Sequence, residues 1–215
     1  MELYLDTANI KLIKQICEIY PLSGITCNPS IVVNDQASIE ELCSLDERLK
    51  VCIQVIGVTV EDMLADADKI LSLRPNVIVK VPVTPIGYQV LHILSKRNVA
   101  TLATAIHTVA QALFAAQCGA TYLAPYVNRI CENDVDGVAT VINMHHALLN
   151  QGSSTKIIAA SFKNLYQVST LLAAGVDAVT VSPDLFAKWI DNHDTHRAVD
   201  KFTSDWQKAF NHRHL

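Results

Sequence analysis

Eight short runs rich in β-branched residues recur along this 215-residue chain, and stretches of helical periodicity lie between them. The predicted strands are 2–5, 24–27, 51–55, 77–83, 100–105, 122–126, 156–160 and 178–181, with predicted helices at 10–19, 60–73, 87–96, 108–118 and 138–149. Strand–helix alternation of this kind argues for a parallel sheet covered by helices. The run Val77-Ile78-Val79 is apolar on both faces, as a strand buried on both sides must be. Eight units average about 27 residues each, a compact βα repeat. The prediction is a (β/α)8 barrel occupying 1–215 as one domain. An open doubly wound sheet is the alternative, but that fold usually carries a glycine-rich phosphate turn after its first strand. Thr7-Ala8-Asn9-Ile10 is not such a turn.

The segment 198–210 places Val199, Phe202, Trp206 and Phe210 on one helical stripe. It predicts an extra C-terminal helix that packs on its own barrel or on a neighbouring subunit. His193 and His196, just before it, read as part of a polar loop.

Half of the chain is apolar and only 18% is charged, which predicts a large core and a homo-oligomer interface. Net charge is −4, with no basic stripe, so nucleic acid is not an expected partner. No apolar stretch is long enough to span a bilayer, and Met1–Asp6 lacks the pattern of a secretory signal. Six cysteines, Cys17, Cys27, Cys43, Cys52, Cys118 and Cys131, form no C-x-x-C pair. They read as reduced thiols of a cytoplasmic protein rather than a disulfide framework or a zinc site. The histidines show no metal-ligand spacing, so no metal is expected.

Barrel enzymes work at the C-terminal ends of their strands, where the loops converge on one mouth. The polar residues at the predicted ends are Asp6, Thr26 with Asn28, Gln54, Lys80, Thr104, Tyr126 and Ser161. All but Ser161 carry even numbers and follow the βα repeat, so each shares a face with its in-strand neighbour two residues away. Lys80 is the sharpest feature, sitting inside Val77-Ile78-Val79-Lys80-Val81-Pro82-Val83. Burial disfavours an ammonium ion, and a neutral amine is what imine formation with a carbonyl needs. A lysine snorkelling from the strand edge is the plain alternative.

The other candidates have plain readings too. Asp6 fits a turn or helix cap before a helix near Ala8, and Asn28-Pro29 fits a helix start. Gln54 needs partners for its amide, and Tyr126 fits a core aromatic. Arg129, Ser161 and Lys163 together could hold a dianionic phosphate, or the two cations could form surface ion pairs.

Taken together, Glu2-Leu3-Tyr4-Leu5-Asp6-Thr7-Ala8-Asn9, Gly24-Ile25-Thr26-Cys27-Asn28-Pro29-Ser30, Val79-Lys80-Val81-Pro82-Val83-Thr84, Ala124-Pro125-Tyr126-Val127-Asn128-Arg129 and Ala159-Ala160-Ser161-Phe162-Lys163 resemble the small transaldolase family. The resemblance runs over essentially the whole chain. Within that family, Gln54 and Tyr126 are similar to the fructose-6-phosphate aldolases, where transaldolases carry glutamate and phenylalanine. The resemblance implies a (β/α)8 barrel and a Schiff base on Lys80, with no metal or organic cofactor. It implies that Asp6 takes the proton released as the C–C bond breaks. Gln54, Thr104 and Tyr126 would hold a proton-relaying water, Tyr126 being the acid/base group. Thr26 and Asn28 would bind donor hydroxyls, with Arg129 and Ser161 on the acceptor phosphate.

Fructose 6-phosphate, dihydroxyacetone and glyceraldehyde 3-phosphate are the implied reactants. The implied assembly is a decamer of two stacked five-fold rings with exchanged C-terminal helices. A transaldolase and a non-catalytic sugar-phosphate-binding barrel are the alternatives. Cys27, Ala103, His107 and Val181-Ser182-Pro183 depart from the family's commonest pattern.

Overall fold

Residue parity sorts the strands into two faces. Odd-numbered Leu5, Ile25, Ile53, Val79, Ala103, Leu123, Ile157 and Val179 belong to one apolar cluster with the helices. Even-numbered Tyr4, Cys52, Ile78, Leu102, Tyr122, Ile158 and Ala178 form a second cluster among themselves. Side chains from strands so far apart in sequence can meet only inside a closed barrel. Each fully buried aliphatic side chain contributes about 1.5–3 kcal/mol, so the two faces together strongly specify strand register.

The computed structural model describes every residue except Arg213 and Leu215. Its strands are β1 (Glu2–Asp6), β2 (Gly24–Thr26), β3 (Lys50–Gln54), β4 (Ile78–Pro82), β5 (Thr101–Ile106), β6 (Tyr122–Pro125), β7 (Lys156–Ala159) and β8 (Ala178–Val181). They form a closed parallel barrel in sequence order, and β1 pairs with both β2 and β8. The helices are α1 (Ile10–Ile19), α2 (Pro29–Asn34), α3 (Ile39–Cys43), α4 (Val60–Leu73), α5 (Pro85–Lys96), α6 (Val109–Gln117), α7 (Val127–Cys131), α8 (Gly137–Asn150), α9 (Leu165–Ala173), α10 (Pro183–Ile190) and α11 (His193–Phe210). The chain is thus a (β/α)8 barrel with an additional C-terminal helix. None of the described helices is long and apolar enough to cross a membrane.

Local chemistry explains where helices start. Asn9, Asn28, Ser38, Thr59, Thr84, Thr108, Asp136, Asn164 and Ser182 each accept a backbone N–H of the following helix. Pro29, Pro85 and Pro183 occupy first helical positions, where no N–H is needed.

Apart from β8, the predicted strand ends shift by one residue, and β5 shows why. Ala105 takes a left-handed φ of 59° in a bulge between Thr104 and Ile106. The bulge extends the strand to Ile106 and turns that residue outward into the helix-facing cluster.

Two predictions need correction. The last helix starts at His193, not at 198, so His193 and His196 lie on helix rather than in a loop. Asn192 caps it through the N–H groups of Asp194 and Thr195; the polar first turn simply lacks the apolar spacing that marks the rest. Likewise, α1 begins at Ile10 with Asn9 as its cap, so Asp6 is not a capping residue.

The inner floor is closed by a polar plug at the N-terminal end. The Glu2 carboxylate accepts from Tyr4 at 2.5 Å and Lys50 at 2.8 Å, and Lys50 also reaches Tyr122 at 3.1 Å. Gly24 makes room there, because a Cβ on it would meet the Lys50 carbonyl and the Tyr4 ring.

Candidate active site

At the opposite end, the even-numbered polar residues continue the interior face. Gln54 stands opposite Lys80 in the β3–β4 register, and Asp6 stands opposite Thr26 in β1–β2. Lys80 is buried, at 4% exposure, and its Nζ donates to the Cys27 carbonyl at 3.0 Å. It takes part in no ion pair among the described residues. That single bond anchors Nζ, and in its unprotonated form the amine has a lone pair for attack on a carbonyl carbon. The snorkelling alternative does not describe this side chain.

Cys27, whose carbonyl receives the Lys80 amine, and Cys52 are both buried. Burial pushes Cys27 and Cys52 each up to about 12; Lys80 works against that rise and Asp6 adds to it. Both thiols therefore stay protonated at neutral pH.

Asp6 is supported from inside the barrel. The Thr26 hydroxyl donates to Asp6 Oδ1 at 2.7 Å and lies 2.7 Å from the Thr180 hydroxyl. Thr26 has one hydroxyl hydrogen. With that hydrogen on an ionised Asp6, Thr180 must be the donor to Thr26. Thr180 was not among the sequence candidates, although its even number in β8 puts it on the same face.

Tyr126 follows β6, bridges to Ala160 and stands at the N-cap position of α7 without making a cap bond. Its hydroxyl accepts from Thr104 at 3.1 Å, so its own hydrogen remains available for donation. The Arg129 guanidinium lies over its ring at 4.9 Å, and the His107 ring meets it edge-on at 5.8 Å. His107 is anchored through Nδ1 to the Ala105 carbonyl at 2.9 Å. A carbonyl only accepts, so Nδ1 carries a hydrogen.

The β6 and β7 loops are drawn together by Asn128, whose N–H donates to the Ser161 carbonyl at 2.7 Å. Ser161 has a left-handed φ of 60°, a conformation that costs a non-glycine residue about 1–2 kcal/mol. Backbone outliers at Ala105 and Ser161 flank Tyr126, the usual setting for functional strain. Among the described residues, neither Arg129 nor Lys163 forms the surface ion pair that is the plain alternative for each. Lys163 is exposed, with its N–H donated to Gln167 Oε1 at 2.7 Å.

Two candidates change character. Asn28 spends its Oδ1 on capping α2 through the Ile31 N–H at 3.0 Å, which leaves its Nδ2 as a donor. Gln54 ends β3 half-buried rather than sealed within the strand. Asn28 and Gln54 also line a cavity of about 340 Å³ beside the mouth, between α2 and α4.

The model of the transaldolase/fructose-6-phosphate aldolase family matches residues 3–214. The chain belongs to the transaldolase/fructose-6-phosphate aldolase family and is an enzyme of the transaldolase/aldolase type.

Proposed function

We propose that the protein is a Schiff-base aldolase that cleaves fructose 6-phosphate to dihydroxyacetone and glyceraldehyde 3-phosphate. Lys80 adds to the ketose carbonyl and loses water to form the imine. Asp6 takes the hydroxyl proton as the C–C bond breaks, and the bond's electrons pass to the imine as an enamine. The Arg129, Ser161 and Lys163 group receives the phosphate, while Asn28 Nδ2 donates to a donor hydroxyl. Thr26 supports Asp6 instead of the substrate, because its hydroxyl is already engaged on both sides.

The observation that carries the aldolase reading is the Thr104–Tyr126 bond. It leaves a phenolic hydrogen free to protonate the enamine through a water, with Gln54 paired opposite Lys80 in the β3–β4 register. Hydrolysis of the resulting imine then releases dihydroxyacetone and regenerates the amine. A transaldolase keeps the enamine for a second aldose. The test compares free dihydroxyacetone release from fructose 6-phosphate with transfer to erythrose 4-phosphate. Release should be the faster, and Gln54→Glu should move activity towards transfer. Transfer faster than release in the unsubstituted protein would contradict the aldolase reading.

The same reading extends to assembly and location. No residue of α11 is buried, and Val199, Phe202 and Phe210 are 52%, 66% and 55% exposed. Such a face supports a homo-oligomer, a decamer of two five-fold rings, in which α11 docks on a neighbouring copy. Light scattering should give ten copies of the 23.6 kDa chain, and Phe202→Asp should break the assembly. Six free thiols support a cytoplasmic setting.

A further inference from the structure

The turn that follows Asp6 is fastened from outside the barrel. Asp35 Oδ2 accepts the Thr7 hydroxyl at 2.8 Å and the Ala8 N–H at 2.7 Å. Thr7 Oγ1 in turn accepts the Asn9 N–H at 3.2 Å, and the Thr7 N–H donates to the Thr26 carbonyl at 3.1 Å. Every backbone N–H from Thr7 to Asn9 is therefore committed, and each tie leads to β2 or to Asp35.

Asp35 is itself held in place. It terminates α2, donating its N–H to the Ile31 and Val33 carbonyls. The chain then turns sharply at Gln36, which takes a left-handed φ of 51°, a region that disfavours any residue but glycine. Asp35 is exposed and joins no ion pair among the described residues, so its carboxylate serves these two donors. Hydrogen bonds to an ionised acceptor are stronger than neutral ones. Because Asn28 caps the other end of α2, the Asp35 bonds lock the Asp6 turn and the donor-side loop into one body.

We propose that Asp35 is a positioning residue for Asp6, holding the β1–α1 turn so that the Asp6 carboxylate keeps its place relative to the imine on Lys80. This rests on the Schiff-base reading given above. Thr26 and Thr180 fix Asp6 from the barrel interior, and Asp35 fixes its backbone from the rim. Asp6 acts only when the C–C bond breaks, so loss of Asp35 should slow cleavage and spare imine formation.

The test prepares Asp35→Ala and Asp35→Asn, alone and in an Asp6→Asn background. Borohydride trapping of dihydroxyacetone on Lys80 reads imine formation, and release of aldose from fructose 6-phosphate reads cleavage. Asp35→Ala should lower kcat about 10- to 100-fold, the loss of hydrogen bonds to a charged group, with KM and trapping within about twofold. Asp35→Asn keeps a carbonyl acceptor and should restore kcat to within about threefold. In the Asp6→Asn background, Asp35→Ala should change the residual rate less than about twofold, since a residue acting through another shows no independent effect. An equal kcat loss in both backgrounds, an unchanged kcat, or lost trapping in Asp35→Ala each overturns the proposal. Absence of trapping in the unsubstituted protein overturns the Schiff-base reading itself, and the proposal with it.

Discussion

Thr104 donates its hydroxyl hydrogen to the Tyr126 phenol oxygen across 3.1 Å, joining the ends of β5 and β6 at the barrel mouth. The direction of that bond matters more than its presence. It polarises the phenol and leaves the phenolic hydrogen uncommitted. Replacing Tyr126 by phenylalanine should lower turnover about 100-fold or more, the range for loss of a positioned proton donor. Thr104→Val should cost about tenfold, because the phenol stays but loses its orienting partner. Steady-state release of dihydroxyacetone checks both; equal losses would mean that Thr104 does more than orient Tyr126.

The Thr180–Thr26–Asp6 line makes a second prediction. Thr180→Val leaves a similar shape but removes the hydrogen bond that orients the Thr26 hydroxyl beside Asp6. Cleavage should slow about tenfold, and trapping at Lys80 should be unaffected. Thr180→Ser, which keeps the hydroxyl, should stay within about threefold of the unsubstituted rate.

Stability has a separate weak point at Arg74, 4% exposed. Its guanidinium donates to the carbonyls of Cys43, Leu45, Asp46 and Leu49 and to the Asn76 side chain. That set holds the whole connection from α3 into β3. Arg74→Met leaves these carbonyls without their donor and should destabilise the fold by about 3 kcal/mol or more. Urea denaturation reads the change in midpoint.

The alkaline limb of stability should follow the buried thiols. Burial raises Cys27 and Cys52 from 9.0 to about 12 in the folded chain. A raised folded pKa means that the unfolded chain ionises first. The stabilisation is complete below pH 9 and is lost as pH climbs towards 12. Denaturation free energy measured from pH 8 to 11 should therefore fall, and less steeply in Cys27→Ala/Cys52→Ala. Iodoacetamide at pH 8 should leave Cys27 and Cys52 unlabelled until the chain unfolds.

Much of this was legible in the sequence because a barrel strand repeats every second residue. Parity puts each of Asp6, Thr26, Gln54, Lys80, Thr104 and Tyr126 on a face with its in-strand neighbour two residues away, and α1 and α4 keep their predicted bounds. What escaped lies in contacts that periodicity does not encode. Ala105 gives no sign of a bulge in its own sequence, yet that bulge turns Ile106 outward and sets β6 against it. Asp35 reaches 27 residues back to Ala8, a distance that only the fold closes. Asn28-Pro29 does read as a helix start, and the Asn28 oxygen caps α2. The start of α11 was missed because its first turn, His193-Asp194-Thr195-His196, is polar on every side.

Whether Lys80 is the nucleophile is read by chemical trapping. The protein is incubated with dihydroxyacetone, treated with borohydride and mapped by peptide mass spectrometry. One reduced three-carbon adduct on Lys80, absent from Lys80→Met, is the predicted result. No adduct, or an adduct that persists in Lys80→Met, would contradict it.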